Sequence, residues 1–226
     1  MNQAKTTRRK KQPPPTLELQ ASPLIVILGA FNDKIFRDPR WCSNYLFEKS
    51  TPEEVAVNIN LNIIDDKINT TVLWKDIELS LIGNRLQIKV PRIDDIGFSI
   101  VMDIVTRLAA CVPHTPITAL GVNFLFETKL EKTDGAIVIG ISKAEPWTFA
   151  GTRLIRPTEC GLMRCESELE KNTGVLKVSF NFHNEIKENN LMEVKNKIMN
   201  GLIEKALAIS RPIAETIRCT YEGAQE

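Results

Sequence analysis

Three asparagines at alternate positions, Asn58, Asn60 and Asn62, sit in an otherwise apolar stretch from Val55 to Ile63. Asparagine is depleted in strands. Three on one strand face offer paired donors and acceptors to a ligand, a peptide or a base edge. Asn123 and Asn181 hold equivalent polar-face positions in two later alternating stretches. Together the five residues predict one polar sheet surface that meets a partner. The plainer alternative is an exposed face that only resists adhesion to other proteins.

The remaining chemistry-bearing groups have local structural explanations. Asp65-Asp66 reads as a turn, and Asp94-Asp95 as a helix cap. Glu166, Glu168 and Glu170 alternate along one strand and line one solvated face. A metal-dependent hydrolase would need such carboxylates to converge from different elements, with Asp65, Asp66, Glu166 and Glu168 as the set to map. His114 lies in a proline-bounded loop and His183 ends a strand. Neither has a carboxylate at metalloprotease spacing, so both read as ordinary surface histidines. No phosphate-binding glycine loop and no nucleophile elbow occurs. No catalytic residue, metal or cofactor is therefore assigned.

The five cysteines are odd in number and irregular in spacing, which predicts reduced thiols in the cytoplasm. Cys160 and Cys165 lack the second pair that a zinc site would need.

Charge is unevenly placed. Residues 1–15 carry Lys5, Arg8, Arg9, Lys10 and Lys11 and no acid, so the net +1 of the chain leaves −4 for the rest. Arg8, Arg9, Lys10 and Lys11 could contact phosphates, an acidic protein or an anionic membrane, or could simply solubilise a tail. A mildly acidic body does not resemble a folded nucleic-acid-binding domain. The longest apolar run, Pro23–Phe31, is too short to span a membrane and reads as a buried strand.

These groups need a scaffold, and the patterning describes one. Residues 1–15 read as a disordered basic tail, 16–220 as a single domain and 221–226 as a frayed end. Leu17–Phe31 and Val55–Ile63 read as strands, and Ile68–Trp74 returns from the second. Ile77–Leu81 and Leu86–Val90 form a hairpin about Gly83-Asn84. A helix over Ile96–Ala110 follows, with its stripe on Ile96, Ile100, Ile104 and Leu108, broadened by Val101 and Val105. Leu120–Phe126 is a strand, answered by Ala136–Ile141 across Asp134-Gly135. Residues 142–161 read as irregular. A second hairpin, Leu162–Phe182, precedes a helix over Leu191–Ile209 that Pro212 interrupts. Phe124, Phe126, Phe180 and Phe182 share the parity of the aliphatic residues. They therefore face the core and leave no aromatic platform for base stacking. The fold class is α+β: a mainly antiparallel sheet of seven to nine strands, with two principal helices on one face. The repeated hairpin–helix pattern points to duplication.

The order of elements resembles a sporadically distributed family of uncharacterised bacterial proteins. The residues that carry the resemblance are Ser22-Pro23-Leu24 through Phe31, the hairpin and helix, Leu120-Gly121-Val122-Asn123-Phe124, and the late strand–helix pair. It spans roughly residues 20–210 and implies no catalytic residue. The expected function is a non-catalytic binding or adaptor subunit of a bacterial multi-protein system, of the defence or mobile-element kind, with a protein partner. The alternatives are nucleic-acid binding through the basic tail and a metal-dependent hydrolase.

Overall fold

A computed structural model describes residues 16–20, 22–47, 50–62, 67–130, 148–150, 153–170 and 173–223. The strands are β1 (Glu18–Gln20), β2 (Pro23–Gly29), β3 (Val55–Asn62), β4 (Lys67–Trp74), β5 (Ile77–Ile82), β6 (Arg85–Lys89), β7 (Ile117–Lys129), β8 (Thr148–Ala150), β9 (Arg153–Thr158), β10 (Gly161–Glu170) and β11 (Val175–Glu185). The helices are α1 (Asp33–Phe36), α2 (Pro39–Tyr45), α3 (Asp95–Cys111), α4 (Leu191–Met199) and α5 (Leu202–Gly223), with a 3₁₀ turn at Pro52–Glu54.

All eleven strands join one antiparallel sheet in the order β3-β4-β5-β6-β2-β7-β11-β10-β9-β8, with β1 lying against β7 beyond the end of β2. The centre is the β2–β7 pair. On one side the meander β3–β6 returns its last strand to β2, and on the other β8–β11 returns its last strand to β7. A helical segment follows each meander.

Alternation divides the sheet into two faces. One face and all five helices build a single apolar cluster, to which Phe36, Cys42, Val101, Val194 and Ile203 bring one residue from each helix. The four phenylalanines point into it as expected. Phe124 and Phe182 meet edge to face at 6.3 Å, and Phe126 and Phe180 at 5.8 Å. The other face carries no helix among the described residues.

Local sequence accounts for most boundaries. Gly83, at φ +60°, and Asn84 form the two-residue β5–β6 turn. Asp94 caps α3, its carboxylate accepting from Gly97 N at 3.1 Å. Asn190 caps α4 by accepting from Glu193 N at 2.9 Å, and Glu193 reaches back to Glu188 N at 2.7 Å.

Several expectations are corrected. Among the described residues there are eleven strands rather than seven to nine, and five helices, α1 and α2 being short. The late helix breaks at Asn200-Gly201, where Gly201 takes φ +76°, and runs unbroken through Pro212. The proline removes only the bond to Ala208, and the buried Ala214 and Ile217 hold the helix against the core beyond it. The α3 stripe departs only at its start: Ile96 is 55% exposed and Phe98 is buried instead, while Val101, Ile104, Val105 and Leu108 are buried as expected. Residues 142–161 are not uniformly irregular, since β8 and β9 are strands. Pro157, near the end of β9, is tolerated opposite Leu162. The first strand divides into β1 and β2. The turn at Asp134-Gly135 and its strand Ala136–Ile141 lie outside the described residues. No helix among the described residues is long and apolar enough to cross a membrane.

Candidate functional site

The open face holds a hollow of about 670 Å³ over its five central strands, β6, β2, β7, β11 and β10. Sheet order assembles it from distant parts of the chain. Directly paired residues share a face, and one line of pairs runs Asn58, Thr71, Ser80, Gln87, Val26, Gly121, His183, Leu162. The hollow occupies the stretch from Gln87 to His183 and the rows beside it.

Its floor is made of small side chains: Ala119, Gly121 and Ser179. Gly121 has ordinary strand geometry. A Cβ there would meet Asn181 Nδ2 at 3.3 Å and Val26 at 3.6 Å, so glycine leaves room above rather than relieving strain. Asn181 donates to Asn123 Oδ1, and Asn123 donates to Pro23 O at 3.1 Å. This relay ties β11, β7 and β2 together across the floor.

The rim is mixed. Arg85 on β6 and Arg164 on β10 are exposed, line the hollow and form no ion pair among the described residues. Gln87 and His183 add polar edges, Val26 and Leu28 an apolar shoulder, and Glu166 one carboxylate. Further along β7 and β11 one cation stands among several acids: Lys177 binds Glu170 and lies 4.0 Å from Glu127. That hydrogen bond raises Lys177 and, with Thr173, lowers Glu170. The pair is solvated and adds little stability. The charges on the hollow's own rim are Arg85, Arg164 and Glu166.

The asparagines predicted as one surface do share this face, but not one site. Asn58 and Asn60 lie on the edge strand β3. At about 4.8 Å per strand they stand roughly 24 Å from the β7 asparagine. Thr71 and Ser80, whose hydroxyls are 3.2 Å apart, continue the polar row between them, but Leu73 and Ile82 interrupt the rows on either side. Asn62 pairs with Lys67 in the backbone register, and its side chain is not among those described. Arg8, Arg9, Lys10, Lys11, Asp65 and Asp66 lie outside the described residues. Glu166 and Glu168 share the open face of β10. Among the described residues no three His, Cys, Asp or Glu side chains are grouped to hold a metal ion.

Sequence reasoning missed Arg85, Arg164, Gly121, Ser179, Gln87 and the placement of His183. Their polar-face parity is legible. The order that brings β6 within four strands of β10 is not.

The described cysteines are free thiols. Burial pushes both Cys42 and Cys165 up to about 12, with Asp38 and Glu166 respectively adding to the effect. Such a thiol stabilises the fold fully below the ordinary value of 9.0 and loses that contribution as pH rises from there toward 12. We expect Cys42 and Cys165 to react with a disulfide reagent at pH 8 roughly a thousand-fold more slowly than an ordinary thiol. Mass spectrometry of the labelled sites checks this. Native-state labelling of either residue at the rate of Cys111 would contradict it.

Comparison with protein-family models, with curated proteins and with solved structures finds no match for this chain.

Proposed function

We propose that this is a non-catalytic binding subunit whose open sheet face docks a protein partner, with the central hollow receiving the partner's leading side chains. The observation that carries this reading is Gly121. It lies mid-strand, at the hollow's floor, where any side chain would press on Asn181 and take up the space of the hollow. Large side chains elsewhere on this face would close the space, and the floor residues keep it open. The relay from Asn181 through Asn123 to Pro23 makes the floor rigid before a partner arrives, which lowers the cost of binding.

The resemblance to a sporadically distributed bacterial family fits an adaptor in a bacterial multi-protein assembly acting in the cytoplasm. Duplication also belongs to this reading. Its unit is larger than a hairpin and helix: one strand, a four-stranded meander returning to it, then a helical segment. Two such units meeting at β2 and β7 would generate the observed order and set the hollow at their junction.

The test places a photo-crosslinking amino acid at Gln87, with and without Gly121→Leu. Leucine should fill the hollow from a position whose Cβ presses on Asn181, so thermal melts first establish that the variant is folded at the temperature of capture. A specific crosslinked protein that disappears in Gly121→Leu supports the reading. Equal capture by both proteins rejects it.

Arg85 and Arg164 favour a second reading, nucleic-acid binding on the same face with help from Arg8–Lys11. It expects salt-sensitive binding of a single-stranded oligonucleotide that falls on Arg85→Glu with Arg164→Glu. Absence of binding at low salt removes it.

A further inference from the structure

The two edges of the sheet are treated differently. Proteins protect sheet edges by shortening, charging, bulging or proline. The β8 edge is three residues long, which limits what can pair with it. The β3 edge has no such protection. Its eight residues, Val-Ala-Val-Asn-Ile-Asn-Leu-Asn, contain neither charge nor proline and pair with β4 without a register shift. No described strand lies on its other side.

Its helix-side face also loses cover along its length. Val55 is buried, whereas Ile59 is 55% and Leu61 57% exposed. Ile68, opposite Leu61 on β4, is exposed as well. α2 packs on β3 and no other described helix contacts it closely. Among the described residues the strand therefore presents an edge with no neighbouring strand beside an apolar stripe.

The strand's own pattern selects its partner. Let two copies pair antiparallel about a twofold axis at Ile59. Ile59 then faces itself, Val57 faces Leu61 of the second copy, and Asn58 faces Asn60 of the second copy. Apolar residues meet apolar ones and amides meet amides. Outward N–H and C=O groups alternate with the same period of two, so the register that matches the faces also matches the hydrogen bonds. Charge agrees. A twofold places residues near the axis against their own kind, so any charge there would face its like. β3 carries none. A charged foreign strand would find no complementary charge on β3 to select it.

We propose that a second copy of this chain docks on β3, extending both sheets into one across an isologous interface. The two hollows would then lie on the same face of that sheet. This inference is independent of what the hollow binds.

Sedimentation velocity of the full chain across a concentration series tests it. The expected result is a species of twice the chain mass that dissociates on dilution. Ile59→Lys and Leu61→Lys should each sediment as the single chain with an unchanged circular dichroism spectrum, because both side chains are already more than half exposed in one copy. Ile59→Cys should crosslink between copies on mild oxidation beyond the level of the wild-type cysteines. Directly opposed Cβ atoms lie about 4.5–5.5 Å apart, close to disulfide reach. A single-chain species throughout the series overturns the proposal. So does a dimer that survives Ile59→Lys, or a dimeric Ile59→Cys variant that fails to crosslink.

Discussion

Phe182→Ala lowers the melting temperature by about 8–16 °C, the shift expected for a loss of about 4 kcal/mol in a chain of this size. Phe182 has no exposed surface and sits at the middle of the sheet, paired with Val122 on one side and Met163 on the other. Its ring meets Phe124 edge to face at 6.3 Å. Removing it leaves a cavity between sheet strands that cannot slide together without breaking their ladders. Phe124→Ala should cost a similar amount, and the double variant should fall short of the sum because the pair shares one cavity. The substitution also separates fold from site. Asn181 and His183 flank Phe182 but face the other way, so a partner that uses the hollow should bind the folded variant as it binds the native protein. Thermal melts monitored by circular dichroism measure the shift. A fall under about 3 °C would mean that the surrounding strands collapse into the space.

This same residue shows what could be read from the sequence. Parity alone places Phe182 inside and Asn181 outside, because a strand has no third choice. Gly83-Asn84 marks its hairpin for an equally local reason. Punctuation misleads where tertiary packing outweighs it. Pro212 is a helix breaker by propensity, yet the helix continues past it because Ala214 and Ile217 beyond it are buried in the core. Gly201, which does break the helix after Asn200, is a local stop signal that the continuous apolar spacing masks. Ile96 leaves its stripe because the first turn of α3 buries Gly97 and Phe98 instead. The hollow lay beyond reach for a different reason. Gln87, Gly121, His183 and Arg164 become neighbours through the β10–β11 hairpin and three long-range strand pairings, and no periodicity within a strand records which distant strand lies beside it.

Gly97→Ala destabilises the protein by about 2–3 kcal/mol, against the direction of helix propensity, which favours alanine by about 1 kcal/mol. Gly97 is buried in the first turn of α3, and its N–H donates to the Asp94 cap. The chain leaving β6 crosses directly over it. A Cβ at Gly97 would stand 1.9 Å from Arg92 O and 2.9 Å from Arg92 C. Both are backbone atoms, so no side-chain rotation relieves the contact. The Arg92 segment is itself held down by its guanidinium, which donates from Nε to Asp94 Oδ2 at 2.7 Å. An added methyl must therefore lift the connection or unwind the cap, and either change reaches Val90 and Phe98 in the core. The expected fall in melting temperature is about 4–12 °C. Ser99→Ala, on the exposed side of the same helix, is the control and should raise stability slightly. If Gly97→Ala rises with it, the crossing is looser than 1.9 Å implies, and propensity rather than packing governs this helix start.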